Sequence, residues 1–401
     1  MTVTPPVYMD NHSTTPVDPR VIEAMLPFFS RQFGNSGSTS HSFGRDAQDA
    51  VELARGTIAT HLGAASKSII FTSGATESNN LALRGIAARN RGSAGHVVSM
   101  KTEHRAILDP LKRLERLGYE ITFVEPQSKG NPDAGMVDPE QVFQAIRDDT
   151  KLVTIMLANN EIGVIQPIAQ IGNFCRQRGI PLHTDATQAV GRIPVDVEEL
   201  GVDLLSCSAH KLYGPKGVGA LYVRRRLRLG PQIEGGGQER GLRSGTLNVP
   251  GIVAFARAVE ISAEELVSES ERLRDLRQRL FTGLIESIPD VELNGPLFDP
   301  PHFRLAGNLN CSFAFVDGEA LMMSMRDLAV SSGSACTSTN PEPSHVLRAL
   351  GLRDDLTRAS LRFGLGRFNT EPEVDYAIEL LAQTVARLRK MSSAVGPHND
   401  A

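Results

Sequence analysis

The chain has 401 residues, enough for two domains of ordinary size. Hydrophobic residues make up 41% and charged residues 22%, a balance that supports a sizeable buried core and excludes a disordered chain. The formal net charge of -4 has the wrong sign for a protein that holds nucleic acid by neutralising phosphates, so no direct nucleic-acid partner is expected.

The densest basic run, Arg224-Arg225-Arg226 with Arg228, reads as a solvated strand end. No apolar run reaches the roughly 18 residues of a membrane span, so no membrane partner is expected either. The opening residues have neither the basic start of a signal peptide nor the arginines of a transit peptide, which predicts a cytoplasmic location. The four cysteines, Cys175, Cys207, Cys311 and Cys336, form no C-x-x-C pair and lie at no metal-ligand spacing from a histidine. Free thiols, with no metal site, are the expectation.

In chain order, 7–9 is a short extended start and 19–29 a first helix. Residues 45–62 place Ala47, Val51, Ala54, Ile58 and Leu62 at helical spacing and form an amphipathic helix. Strands then alternate with helices: strand 68–72, helix 77–89, strand 96–99, helix 107–117, strand 120–124, helix 139–147, strand 152–157, helix 168–178 and strand 181–184. Two further strands follow at 202–206 and 219–223. This alternation implies a mostly parallel sheet with helices on both faces. Ligands in such sheets sit beyond the carboxyl ends of the strands, so functional residues belong just after the apolar runs.

A long helix at 252–288, with Leu266, Leu273, Leu276, Leu280 and Leu284 along it, bridges to a smaller unit. There, 308–315 and 360–364 are strands, and 318–325 and 374–391 are helices. The tail from Ser392 is small and polar.

Three motifs carry chemistry. Ser73-Gly74-Ala75-Thr76-Glu77 follows the strand residues Ile69-Ile70-Phe71. A strand turning through small residues into a helix makes an anion cradle, and a helix capped by Thr76 is an equally good account of the same residues. His183-Thr184-Asp185-Ala186-Thr187-Gln188 puts an acid at the end of a buried strand, where it either caps the next turn or keeps a heterocyclic nitrogen protonated. Ser206-Cys207-Ser208-Ala209-His210-Lys211 puts a lysine just past another buried strand, where desolvation makes the amine a competent imine former. Gly214-Pro215-Lys216-Gly217-Val218-Gly219 follows it and lets backbone approach a flat ligand. In this order the three make the constellation of a pyridoxal-phosphate site. Cys336 differs from the other cysteines. Its Ser, Gly, Ala and Thr neighbours predict an exposed loop, where a thiol can ionise, whereas Cys175, Cys207 and Cys311 read as inert packed residues.

From about Tyr8 to Leu388 the chain resembles the cysteine desulfurases of the IscS/NifS type, within the fold-type-I aminotransferase-like enzymes. The resemblance rests on the stretches Thr72-Ser73-Gly74-Ala75-Thr76-Glu77-Ser78, Lys101-Thr102-Glu103-His104 and Asn159-Asn160-Glu161-Ile162-Gly163. It rests also on Asp185-Ala186-Thr187-Gln188, on His210-Lys211 with Tyr213-Gly214-Pro215-Lys216-Gly217, on Arg243-Ser244-Gly245-Thr246, and on Ser331-Ser332-Gly333-Ser334-Ala335-Cys336-Thr337.

The resemblance implies a mostly parallel seven-stranded sheet in a large domain, residues 15–260, and a smaller α+β domain made of 1–14 and 261–401, with a cysteine loop at about 330–343. It implies that Lys211 holds pyridoxal 5'-phosphate, that Asp185 pairs with the pyridine nitrogen, and that His104 stacks over the ring and shuttles protons. Asn160 and Gln188 contact the phenolic oxygen. Ala75, Thr76, Ser208 and His210 hold the phosphate, and Thr246 reaches the phosphate of a neighbouring subunit in a homodimer. Arg362, assisted by Asn35 and Asn160, clamps the carboxylate of L-cysteine. Cys336 takes the sulfur as a persulfide, leaving L-alanine, and passes it to a protein acceptor. The acceptor is an iron–sulfur scaffold, where Cys336 also stands to ligate a cluster, or a carrier for tRNA thiolation.

Three features depart from the family pattern: Ser36-Gly37 after Asn35, the polar run Asp10-Asn11-His12-Ser13-Thr14, and a short tail after Met391. A selenocysteine lyase, a conventional aminotransferase and an idle binding protein on the same fold are the alternatives.

Overall fold

The computed structural model describes residues 3–89, 94–300, 303–332 and 342–394. Strand β1 (Val7–Tyr8) leads into helices α1 (Pro19–Met25), α2 (Pro27–Ser30) and α3 (Ser42–His61). The helix predicted at 19–29 is two helices, because Pro27 has no N–H to continue the first one. Asp18 starts α1 by accepting a hydrogen bond from the Arg20 amide at 3.0 Å.

The alternating region runs β2 (Ile69–Thr72), α4 (Ala75–Arg89), β3 (His96–Met100), α5 (Arg105–Glu115), β4 (Glu120–Val124), α6 (Pro139–Ala145), β5 (Thr150–Thr154), α7 (Ile168–Arg178), β6 (Leu182–Asp185), β7 (Leu204–Ser208) and β8 (Gly219–Val223). These strands form one seven-stranded sheet in the order β2-β8-β7-β6-β5-β3-β4. β8 runs antiparallel to both its neighbours, and every other pairing is parallel. β2 therefore points the same way as β3, β5, β6 and β7, and their carboxyl ends open on one edge. β5 ends earlier than the predicted 157, but Ile155 and Leu157 still donate to the carbonyls of His183 and Asp185. That continuation delivers Asn160 to the same edge.

Both faces of the sheet are covered by helices. One face buries Ile58, Ile155, Leu205 and Phe255, and the other buries Leu83, Ile107, Leu111 and Leu221. Full burial of a side chain of this size contributes about 1.5–3 kcal/mol. His183 lies inside the sheet, with Nδ1 2.8 Å from Thr154 Oγ1 and Nε2 3.0 Å from Ser206 Oγ. Burial lowers its pKa to about 4 and keeps it neutral.

Helix α8 (Val249–Ser287) spans 39 residues, about 58 Å at 1.5 Å per residue. Its first half, through Ile261, packs in the large core, and Leu273, Leu276, Leu280 and Leu284 pack in a second cluster with Phe313, Phe363 and Leu381. That cluster lies under a four-stranded antiparallel sheet. Its strands are β9 (Val291–Leu293), β10 (Asn308–Phe313), β12 (Ser331–Ser332) and β13 (Ser360–Gly364), in the order β12-β13-β10-β9. The remaining elements are α9 (Gly318–Met323), β11 (Leu328–Ala329), α10 (His345–Ala349), α11 (Asp354–Arg358) and α12 (Glu371–Ala394). β1 pairs parallel with β11, so the N-terminal segment belongs to the smaller sheet region although it begins the chain. Asp10 continues that line and bridges Gly364 of β13.

Candidate functional site

The edge where the parallel strands end encloses a cavity of about 720 Å³. Ala75, Thr76, His104, Asn160, Asp185, Gln188, Ser208, His210, Lys211 and Arg362 all line it. Residues far apart in the chain converge there because β2, β3, β5, β6 and β7 finish side by side.

At one end, α4 begins at Ala75, two residues earlier than predicted. Thr76 is therefore inside the first turn and not the N-cap. The amides of Ala75, Thr76 and Glu77 have no acceptor within the helix by virtue of their position. Ser73 N–H is already taken by Glu77 Oε2 at 2.8 Å, and Arg243 Nε holds the other oxygen of that carboxylate at 2.8 Å. Gly74 has φ 150°, a conformation that needs glycine. A Cβ on Gly219 would lie 2.7 Å from the Gly74 Cα, so two glycines let β8 close against the cradle. Ser208 Oγ and the His210 ring complete the wall, and His210 Nδ1 lies 3.1 Å from Thr14 Oγ1. Burial, then the charges of Lys211 and Lys216, lower the His210 pKa to about 4. A neutral ring can meet an anion as a hydrogen-bond partner without adding charge.

Asp185 ends β6. Its Oδ2 accepts from Asn79 Nδ2 at 2.7 Å and its Oδ1 from the Thr187 amide at 3.0 Å. Among the described residues no lysine or arginine forms an ion pair with it. A carboxylate only 6% exposed and held by neutral donors needs a cation to offset its burial. Thr187 Oγ1 and Asn79 Oδ1 are likewise buried without a partner.

Lys211 closes a short 3-10 turn that follows β7. Its Nζ donates to the carbonyls of His12, at 2.7 Å, and Ser13. Burial is the main cause that lowers its pKa from 10.5 to about 7, aided by Arg192 and Arg362 and opposed by Asp10 and Asp185. His104 precedes α5 and caps it, with Nδ1 accepting from the Ala106 amide at 3.1 Å. That bond puts the proton of the neutral ring on Nε2. His104 opens onto the cavity but is ringed by protein, and this enclosure lowers its pKa below 6.5.

Arg362, on β13, faces the cavity from the smaller sheet. Its Nη1 donates to the Asn160 carbonyl at 3.0 Å, and its Nη2 donates to Asp10 Oδ1 and Ser331 Oγ, each at 2.7 Å. A second cavity of about 760 Å³ adjoins the first and shares His104, Asn160 and Arg362 with it. Ser332 and Glu342, which bracket Cys336 in the sequence, line this second cavity. Cys336 itself lies outside the described residues. Cys175, Cys207 and Cys311 are buried, and burial pushes each thiol up to about 12.

Two predicted site residues stand apart from the cavity of their own chain. Asn35 is exposed and its Oδ1 holds the Gly37 amide at 2.9 Å, so it does not assist Arg362 within the chain. Thr246 is exposed and also outside that cavity. The structure adds His12, Arg192 and Asn79, which sequence reasoning did not assign, and ties the predicted Gln188 to His12. Gln188 Nε2 donates to the His12 carbonyl at 2.9 Å, and Arg192 Nη1 lies 2.6 Å from His12 Nδ1. Arg192 Nη2 also donates to the carbonyls of Asn11 and Lys211. Asn79 left one readable signal, an amide among the buried apolar positions of α4.

The cavity suits pyridoxal phosphate by its chemistry. Unpaired first-turn amides, a neutral imidazole, a buried carboxylate without a cation and a largely desolvated amine all line it.

Comparison with known proteins agrees. The family model for aminotransferase class-V matches residues 7–377. A protein of Anaeromyxobacter dehalogenans described as cysteine desulfurase IscS is 55% identical over 389 residues, covering 96% of this chain and 94% of the relative. One from Aeromonas hydrophila with the same description is 56% identical over 391 residues, with the same coverage. Among solved structures, a NifS-like protein superposes with a TM-score of 0.87 at 38% identity, over 95% of this chain and all of the other. A structure described as SspA in complex with cysteine gives 0.79 at 38% identity, over 92% of this chain and all of the other. The chain belongs to the class-V aminotransferase family, among its cysteine desulfurases of the IscS kind.

Proposed function

We propose that this enzyme takes the sulfur from L-cysteine, releases L-alanine and holds the sulfur as a persulfide on Cys336. The observation that carries the reading is the meeting of three groups in one cavity: the Lys211 amine, the Asp185 carboxylate and the Arg362 guanidinium. They match an amino acid and a pyridine ring group for group. The high identity to relatives described as cysteine desulfurases supports the same substrate.

Pyridoxal phosphate, when bound, supplies an electron sink for bonds at the α and β carbons of the substrate. The residues of the chain do the rest. The first turn of α4 with Ser208 and His210 holds the phosphate, Gln188 and Asn160 face the ring oxygen, and Asp185 keeps the ring nitrogen protonated. Lys211 gives the amine that binds the cofactor and later moves a proton. His104, which lines the same cavity, would exchange a second proton through Nε2. Arg362 grips the α-carboxylate. The Cys336 thiolate attacks the substrate sulfur, so that an S–S bond forms as the Cβ–S bond breaks. The electron pair returns to carbon, which is protonated to alanine.

The chain on both sides of residue 336 borders the cavity that shares His104 and Arg362 with the first, which supports this assignment. The three other cysteines are buried and resist ionisation, which supports it further. In this reading residues 15–260 bind the cofactor, and 1–14 with 261–401 bring Arg362 and Cys336. The enzyme works in the cytoplasm, and the persulfide passes to a protein thiol such as an iron–sulfur scaffold. Among the described residues no helix is long and apolar enough to cross a membrane.

The reading also makes the enzyme a homodimer. Ile22, Leu26, Phe29, Phe33 and Phe43 are all exposed large hydrophobics near the N-terminus, with Phe29 and Phe33 more than 60% exposed. In this reading a second copy covers these side chains, and Thr246 serves the neighbouring cradle.

Three outcomes are expected. Purified enzyme forms alanine from L-cysteine with no keto acid present, and Cys336→Ser stops this by at least about a hundredfold while retaining the cofactor absorbance; a normal rate in the variant removes Cys336 from the mechanism. Cofactor capture by the apoenzyme accelerates as pH rises through about 7, where the Lys211 amine loses its proton, and levels off above it. A rate still climbing toward pH 10 means an ordinary lysine. Sedimentation equilibrium gives twice the 43.4 kDa of one chain, and Phe33→Asp shifts the mass toward one chain; a monomeric parent protein ends the dimer reading.

A further inference from the structure

Arg362 does not wait for a substrate with its donors free. A guanidinium has five N–H groups, and two edges on which neighbouring N–H bonds run parallel: Nε with Nη2, and Nη1 with Nη2. A two-point grip on a carboxylate uses one of these edges, so it always uses Nη2. Here Nη2 donates to both Asp10 Oδ1 and Ser331 Oγ, so each edge ends on a nitrogen that is already engaged. Nη1 donates to the Asn160 carbonyl, and Nε is buried without a partner. The uncommitted donors are thus Nε–H and one Nη1–H, which share no edge. A substrate carboxylate that seeks a two-point grip therefore meets Asp10 and Ser331 as rivals at Nη2.

The backbone holds all three side chains in place. Ser331 and Arg362 are direct partners on β12 and β13. Asp10 bridges Gly364, the Asn11 amide donates to the Gly364 carbonyl at 3.0 Å, and the Gly364 amide donates to Met9 at 2.7 Å. Ser331 Oγ also donates to Asp10 Oδ1 at 2.8 Å and closes a triangle. The side chains of Arg362 and Asp10 are 10% and 18% exposed, so their attraction is little screened by solvent.

We propose that Asp10 is a built-in competitor for the substrate α-carboxylate at Arg362, a positioning residue that weakens and thereby sets the affinity for the amino acid. This rests on the reading that Arg362 takes that carboxylate. While the site is empty, Asp10 neutralises and aims the guanidinium. When an amino acid enters, its carboxylate takes over the Nη2 contact, and the net grip is the difference between two similar ion pairs. An affinity set in this way stays moderate, and the product alanine, which carries the same carboxylate, leaves readily.

The test uses the holoenzyme and two variants. Asp10→Asn keeps the shape and an accepting oxygen but removes the rival charge. Ser331→Ala removes only the hydroxyl. Asp10→Asn lowers KM for L-cysteine by about fivefold or more and changes kcat less, and Ser331→Ala lowers it by a smaller factor. Inhibition by cysteamine, which has the thiol and amine but no carboxylate, keeps its constant in both variants. A structural disturbance of the site would move cysteamine and cysteine together. Arg362→Ala is the control. If it raises KM for cysteine while Asp10→Asn does not lower it, Asp10 is no competitor and the Arg362 reading stands. If Arg362→Ala leaves KM unchanged, the reading of Arg362 fails and the proposal falls with it.

Discussion

A lysine amine that is to react at pH 7 has to be made uncomfortable as a cation, and the site is arranged around that requirement. Burial at the sheet edge does most of it, and Arg192 and Arg362 add repulsion. The carbonyls of His12 and Ser13 then fix where Nζ points. Those carbonyls belong to the polar run 10–14, which Arg192 ties to the backbone of Lys211 itself. The N-terminal segment is therefore part of the site and not a leader into the fold.

The parallel sheet explains why the other groups arrive at the same place. Six strands finish on one edge, and five of them contribute a residue that follows the apolar run. The smaller sheet contributes differently. Its strand β13 brings one guanidinium against the edge, with β12 and the segment after β1 hydrogen-bonded beside it. The two halves are joined by α8, whose apolar side chains are shared between the two cores. On the proposed roles, substrate recognition depends on a contact between halves, while cofactor binding depends on the large sheet.

Much of this was legible in the residues. Seven apolar runs gave seven strands, and the three chemical motifs fell at the ends of β2, β6 and β7 as the parallel topology requires. What escaped was of three kinds. The short elements β9, β12, α10 and α11 carry too few residues for a period to show. The start of α4 was misplaced because Ala75 and Thr76 have no apolar periodicity of their own, which is why Thr76 read as a cap. The engagement of Arg362 by Asp10 joins residues separated by 352 positions through a backbone bridge, and no local pattern encodes that. The resemblance made Asn35 a partner of Arg362, whereas within its own chain its side chain closes its own turn.

The claim on which the account stands is that one amino acid is worked on from two sides, by the amine at 211 and by the thiol at 336. A single turnover of holoenzyme with L-cysteine, quenched with an alkylating agent and mapped by peptide mass spectrometry, tests it most directly. The account predicts one alanine per active site and one added sulfur atom on the peptide that contains Cys336. Alanine formed in that amount with the sulfur on Cys175, Cys207 or Cys311, or with no enzyme-bound sulfur, would contradict it.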